Sequence, residues 1–191
     1  MADIAIIAGD AAGAALFGEL LRKLDHRGTV NWITGCAAPG RGVAYATDDD
    51  RHLLNVRAAG MGLFAEQKDD FLQHASRCLG PAQGADFLPR RIFGEFIEAQ
   101  VRARMSEAHA YGIRFQVNHA KAAAIHRETD RGYRIELEQG DMLAVDAVVL
   151  AIGALAPRLL KTVSVEALDS GAYVLVTCNR TELDQPPRRV L

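Results

Sequence analysis

An α/β fold, in which a parallel sheet carries helices on both faces and a small antiparallel insertion, is what this sequence predicts. Three observations carry that expectation. Ile4–Ile7 and Ala147–Ile152 are continuous apolar runs of the kind found in strands buried on both faces of a parallel sheet. A small-residue turn and a helical repeat follow the first run at once, and a later block alternates with period two.

The elements follow in order. After Ile4–Ile7 comes the turn Ala8-Gly9-Asp10-Ala11-Ala12-Gly13, and then Leu16/Phe17, Leu20/Leu21 and Leu24 recur at helical spacing. Arg22 and Lys23 lie near the end of that helix, and Gly28 stands in a stop position just beyond it. Thr29–Thr34 reads as a second strand, which completes a βαβ unit. Residues 35–67 are rich in Gly and Ala without a clear period, and their length favours a functional or ligand-covering loop. Residues 68–79 read as a helix. A second helix runs from Ile92 through Phe93, Ile97, Val101 and Met105, with Phe96 widening its apolar face, Pro89 before it and Gly112 after it. Gly112–Val117 and Tyr133–Glu138 alternate as strands, with turn signals at Asp130-Arg131-Gly132 and Gln139-Gly140-Asp141. The last strand is Ala147–Ile152, closed by Gly153.

Composition bounds the function. The 191 residues suit one domain with a sizeable core and are short for two; 49% are apolar and 24% charged, as in ordinary globular chains. Twenty-two Lys+Arg against 24 Asp+Glu leave a net charge of −2, so nucleic acid and anionic membrane are not expected partners. Arg188-Arg189, a basic pair near the end of the chain, reads as a solvated tail. The longest apolar stretch, Ala147–Ala156, is about half of a membrane span, and the N-terminus carries Asp3 with no basic region before it. Cys36, Cys78 and Cys178 are odd in number and show no C-x-x-C spacing, and His52, His74, His119 and His126 show no ligand spacing. The expectations are no disulfide framework, no metal site and a reducing cytoplasm. No Ser/His/Asp set or carboxylate pair stands out, so no catalytic residue is assigned.

In such a sheet a ligand binds beyond the carboxyl ends of the strands, and the loop after the first strand normally reads G-x-G-x-x-G. The matching positions are Ala8, Asp10 and Gly13, so only the third glycine is kept. Asp10 puts a carboxylate at a helix N-terminus, where a pyrophosphate would meet free N–H groups. It is also a favoured N-cap residue, and both roles stay open at this point. The second strand ends in Thr34 instead of the usual acidic ribose ligand; Thr34 keeps a hydrogen-bonding hydroxyl but not a bidentate acceptor.

Four longer motifs occur in order: Gly40-Arg41-Gly42-Val43-Ala44-Tyr45; His52-Leu53-Leu54-Asn55-Val56-Arg57-Ala58 with Met61; Phe87-Leu88-Pro89-Arg90-Arg91-Ile92-Phe93-Gly94-Glu95-Phe96; and Asp146–Gly153. Over about residues 4–157 the chain resembles the FAD/NAD(P)-binding family that includes FAD-dependent urate hydroxylases and aspartate N-monooxygenase-like enzymes. The resemblance implies a Rossmann-like, two-dinucleotide-binding-domain flavoprotein fold, with FAD performing oxidation or hydroxylation and NAD(P)H as reductant. It further implies that Gly9, Asp10, Ala11 and Gly13 face the FAD pyrophosphate, that Gly40, Gly42 and Asn55 line the flavin side, and that Gly153 ends the strand beside the cofactor. Arg41, Arg90 and Arg91 become candidates for phosphate contacts. For each of these positions a purely structural role, as loop glycine, local cap or helix start, stays open.

The family's usual second glycine motif, for NAD(P)H, is not evident in the tail Tyr173–Leu191. Residues 1–157 are therefore expected to form the FAD/NAD(P)-binding domain and 158–191 a C-terminal extension or truncated remainder. A partner subunit or a second domain is expected to complete the activity, and the apolar face left without it leaves self-association open. Two functions stand against each other: the FAD-binding domain of a flavin-dependent oxidoreductase, FAD binding being weakened by Ala8 and Asp10, and a cofactor-free relative acting as an interaction or regulatory protein. A third, a free-standing NAD-binding module, fits worse because it leaves the flavin-side motifs without a purpose.

Overall fold

The computed structural model describes residues 2–23, 28–35, 39–67, 69–128, 132–153 and 162–170. Leu24, Cys36, Cys178, the Asp130-Arg131 part of one turn and most of the 158–191 segment lie outside them. Two compact units are distinguished, Met1–Gly153 and Ala154–Leu191.

The first unit is built on the βαβ unit read from the sequence: β1 (Ile4–Ile7), α1 (Ala11–Lys23) and β2 (Thr29–Ile33). A short helix α2 (Gly42–Tyr45) and a 3-10 turn (Ala58–Gly60) interrupt the long loop, and two helices follow, α3 (Asp70–Leu79) and α4 (Arg90–Ala110). Then come β3 (Arg114–Asn118), β4 (Ala122–Arg127), β5 (Tyr133–Leu137), β6 (Met142–Val145) and β7 (Ala147–Leu150). The parallel sheet has the order β3-β2-β1-β7, with Ile4 opposite both Val30 and Ala147. Its N-terminal edge is held by Asp3, whose carboxylate accepts the Thr29 N–H at 2.9 Å while its own N–H donates to Asp146 at 2.7 Å.

Side-chain alternation along β1 and β2 sorts two cores. Ile6, Val30 and Trp32 join Phe17 and Leu21 of α1, Phe71 of α3 and Ile92, Phe96 and Ile97 of α4. Phe17 and Trp32 stack with ring centroids 4.7 Å apart. Ala5 and Ile33, on the opposite face, pack against Ile135, Leu137 and Val145 of the antiparallel sheet β4-β5-β6. Among the described residues that face is covered by a sheet, where the sequence led us to expect helices on both sides. The physical reason is visible in β5, whose Ile135 and Leu137 offer one apolar side while Arg134 and Glu136 face the other way. A period-two strand covers a sheet face as well as an amphipathic helix does.

Arg114–Asn118, read from the sequence as a strand, belongs to the parallel sheet and pairs with β2, while β4 and β6 are strands that the sequence reading did not contain. Ala122–Arg127, which has no apolar alternation strong enough to read, is a strand because it pairs with β5. The end of α4 follows local chemistry closely: the Gly112 N–H bonds the His109 carbonyl and the Ile113 N–H bonds that of Ala108, a Schellman closure with Gly112 at φ 69°. In the second unit α5 (Val165–Asp169) is capped by Ser164, whose Oγ accepts the Ala167 N–H at 3.3 Å.

Candidate functional site

At the carboxyl end of β1 the chain turns through Ala8, Gly9 and Asp10 into α1. Ala8 is buried and fully engaged: its N–H donates to the Ile33 carbonyl at 3.0 Å, and its own carbonyl accepts the Trp32 Nε1–H at 2.7 Å. Gly13 is required by this packing, because a Cβ there would lie 2.3 Å from the Ala8 Cβ. The third glycine of the motif thus keeps its helix-against-strand role.

Asp10 caps α1. Its Oδ1 accepts the N–H groups of Ala12 at 3.1 Å and Gly13 at 3.2 Å, and its carbonyl accepts the Ala14 N–H. The carboxylate is hemmed in by two other glycines. A Cβ on Gly153 would meet Asp10 Oδ2 at 2.2 Å, and one on Gly42 would meet the Asp10 Cβ at 2.7 Å. Gly40 donates its N–H to the Gly9 carbonyl at 3.1 Å, and a Cβ on it would strike Ile97 at 2.6 Å. Gly40, Gly42 and Gly153 all have positive φ, at 96°, 53° and 62°. Of the residues marked in the sequence, Gly9, Asp10, Gly13, Gly40, Gly42 and Gly153 are therefore brought to one place, the N-terminus of α1, and Ala11 opens that helix.

The remaining candidates are held by other partners. Thr34 is buried at the end of β2, where its hydroxyl bonds the Asn118 carbonyl at 3.2 Å and meets His119 Nδ1 at 3.3 Å. Asn55 is exposed in the loop before the 3-10 turn. Arg41 forms a two-pronged ion pair with Glu98 of α4, at 2.7 and 3.2 Å. Arg90 donates its Nε–H to the Leu53 carbonyl at 3.0 Å, and Arg91 bridges Asp50 and Glu95. In this arrangement the three arginines fasten the 41–57 loop to α4. Arg41→Ala is accordingly expected to lower stability by about 1 kcal/mol, measured by urea unfolding, without altering secondary structure. Glu98, the partner that gives Arg41 this role, lies 57 residues away and carried no local signal.

The chemistry available at the α1 N-terminus is anion binding: backbone N–H groups and the positive end of a 13-residue helix converge there. A pyrophosphate and the Asp10 carboxylate compete for the same Ala12 and Gly13 N–H groups. The glycine-lined backbone fits a phosphate; the Asp10 side chain in its capping position does not leave it those donors.

A second group of side chains was not foreseen. His74 and Cys78 of α3 and Glu95 of α4 bring one ligand atom each to within 4.8 Å of one another. The sequence does contain the signal, a His-x-x-x-Cys pair one helical turn apart, but its third member comes from the next helix.

A parallel sheet with a βαβ phosphate-type turn and glycines gathered at its helix N-terminus defines a dinucleotide-binding α/β domain. Residues 5–155 match the model of a family described as FAD-NAD(P)-binding, and the chain belongs to that family. No curated protein sequence matches it. Among solved structures it is similar to S-allyl-L-cysteine S-oxygenase from Allium sativum, with a TM-score of 0.61 and 16% identity over 87% of this chain and 40% of that one. It is also similar to a cyclohexanone monooxygenase from Rhodococcus sp. Phi1 bound to NADP+, with a TM-score of 0.56 and 16% identity over 88% of this chain and 29% of that one. At such identities the likeness shows a shared fold, and the chain spans well under half the length of either protein. Among the described residues no helix is long and apolar enough to cross a membrane.

Proposed function

We propose that this chain is the FAD-binding domain of a flavin-dependent, monooxygenase-like oxidoreductase, and that a second domain or a partner subunit completes its activity. The observation that carries the reading is the convergence of Gly9, Gly13, Gly40, Gly42 and Gly153 on the N-terminus of α1, within a family-matched segment. The Ala12 and Gly13 N–H groups would hold the pyrophosphate once Asp10 moves aside, and Gly42 and Gly153 leave room beside it. Bound FAD would supply the redox chemistry; the protein supplies binding and orientation. Support for a completing partner comes from the end of β7, an edge strand among the described residues, where Leu150 and Ile152 are exposed by more than half. We place the protein in the cytoplasm, in keeping with the free thiol of Cys78.

The capping by Asp10 favours a second reading, a cofactor-free relative that works as an interaction protein. One titration separates the two. On the first reading the purified chain takes up one FAD, seen in the visible flavin absorption, and ADP displaces it while riboflavin does not, because this half of the fold grips the pyrophosphate side. A wild-type chain and an Ala8→Gly/Asp10→Gly chain that both ignore FAD at ~1 mM, a level where ordinary cofactor sites are filled, would leave only the second reading.

A further inference from the structure

We propose that His74, Cys78 and Glu95 form a zinc site that clamps α3 to α4. It stands apart from the glycine cluster at α1 and does not depend on FAD binding.

The geometry is close to what the metal requires. Zinc binds thiolate at about 2.3 Å and imidazole at about 2.0 Å, so tetrahedral coordination sets the two ligand atoms roughly 3.5 Å apart. Cys78 Sγ and His74 Nε2 stand 3.5 Å apart, and the residues are separated by one helical turn. The Glu95 carboxylate lies within 4.8 Å of both and closes the remaining distance, on the order of 1 Å, by side-chain rotation. Its Oε1 accepts from Arg91 Nη1 at 3.0 Å, and the other oxygen can ligate without breaking that pair. A nitrogen, a sulfur and an oxygen donor together suit borderline-soft zinc over magnesium or calcium. Water fills the fourth position, since Cys78 is exposed.

The surroundings fix the donors. The His74 ring packs 5.7 Å from that of Phe96, and burial first and the Arg77 charge second lower the pKa of the imidazole, against the neighbouring Glu95 carboxylate, which raises it. Arg77 opposes a cation here, although it is exposed and therefore screened. Metal binding deprotonates the thiol, releasing one proton to solvent, and joins two helices that otherwise meet through Phe71, Phe93 and Phe96.

The test uses the full chain with Cys36→Ser and Cys178→Ser, so that Cys78 is its single thiol, and titrates it with cobalt(II) as a spectroscopic stand-in for zinc. Expected are one cobalt per chain, a thiolate-to-cobalt band in the near ultraviolet, tetrahedral visible bands, and loss of all of them on adding zinc. Zinc should also raise the melting temperature. Cys78→Ser should abolish the near-ultraviolet band. His74→Gln and Glu95→Gln should each weaken binding about tenfold or more, since removing a ligand costs at least as much as removing a group that supports one. Circular dichroism checks that each variant folds. Absence of the bands in the Cys78-only chain would overturn the proposal. So would cobalt affinity unchanged in both His74→Gln and Glu95→Gln, which would reduce the effect to binding by a lone thiol.

Discussion

Replacing Ala8 and Asp10 together by glycine is expected to tighten FAD binding by at least about fivefold. Asp10 now spends its carboxylate on the Ala12 and Gly13 N–H groups. A phosphate brought to those donors would stand about 4 Å from that charge, and the repulsion is roughly 1 kcal/mol in water and roughly 4 kcal/mol at an effective dielectric near 20. The gain is therefore roughly fivefold to a thousandfold, read by quenching of flavin fluorescence. Asp10→Asn divides the effect. Asparagine caps as well as aspartate, so stability should hold while the charge disappears, and affinity should recover only in part because the side chain still occupies the site. Asp10→Ala removes cap and charge together and should cost about 1 kcal/mol of stability while tightening FAD. Affinity unchanged in both the Asn and the double-glycine proteins would show that Asp10 is not the obstacle.

Trp32→Ala is expected to be the most destabilising single change, by about 3–5 kcal/mol. Trp32 is fully buried, stacks on Phe17 and donates to the Ala8 carbonyl, so it joins the sheet, α1 and the phosphate-type loop in one residue. Against a total stability of roughly 5–15 kcal/mol the loss is large, and the urea midpoint should fall by more than about 1 M. Trp32→Phe keeps most of the packing but leaves the Ala8 carbonyl without its donor in a buried place, at a cost of about 1–3 kcal/mol. Because Trp32 is the only tryptophan in the chain, both variants must be followed by circular dichroism. A loss below about 1 kcal/mol for Trp32→Ala would mean that the core around Phe17 collapses to fill the gap.

The sheet, α1 and α4 were legible because apolar period and caps coincide there: Ile4–Ile7 is apolar throughout, and Pro89 and Gly112 bracket α4. In the layer opposite the helices β5 was legible, since Tyr133–Glu138 alternates, but its strand partners and the sheet face it covers were not. Ala122–Arg127 becomes a strand through its partner β5, and pairing partners leave no local trace. The site shows the same division. Asp10 declares itself by position, as a capping residue before a helix. The roles of Arg41 and Arg91 do not, because Glu98 and Asp50 reach them from 57 and 41 residues away. His74 and Cys78 are visible as an i,i+4 pair, yet Glu95 joins them only when α3 meets α4.

If the N–H groups that Asp10 now occupies seat a dinucleotide pyrophosphate, as proposed, added FAD must perturb them. The most direct test follows backbone amide resonances of the wild-type chain and the Ala8→Gly/Asp10→Gly chain as FAD is added. Ala12 and Gly13 should shift together with Gly42 and Gly153, at lower FAD concentration in the double variant. Shifts confined to other parts of the chain, or none at either protein's Ala12 and Gly13, would contradict it.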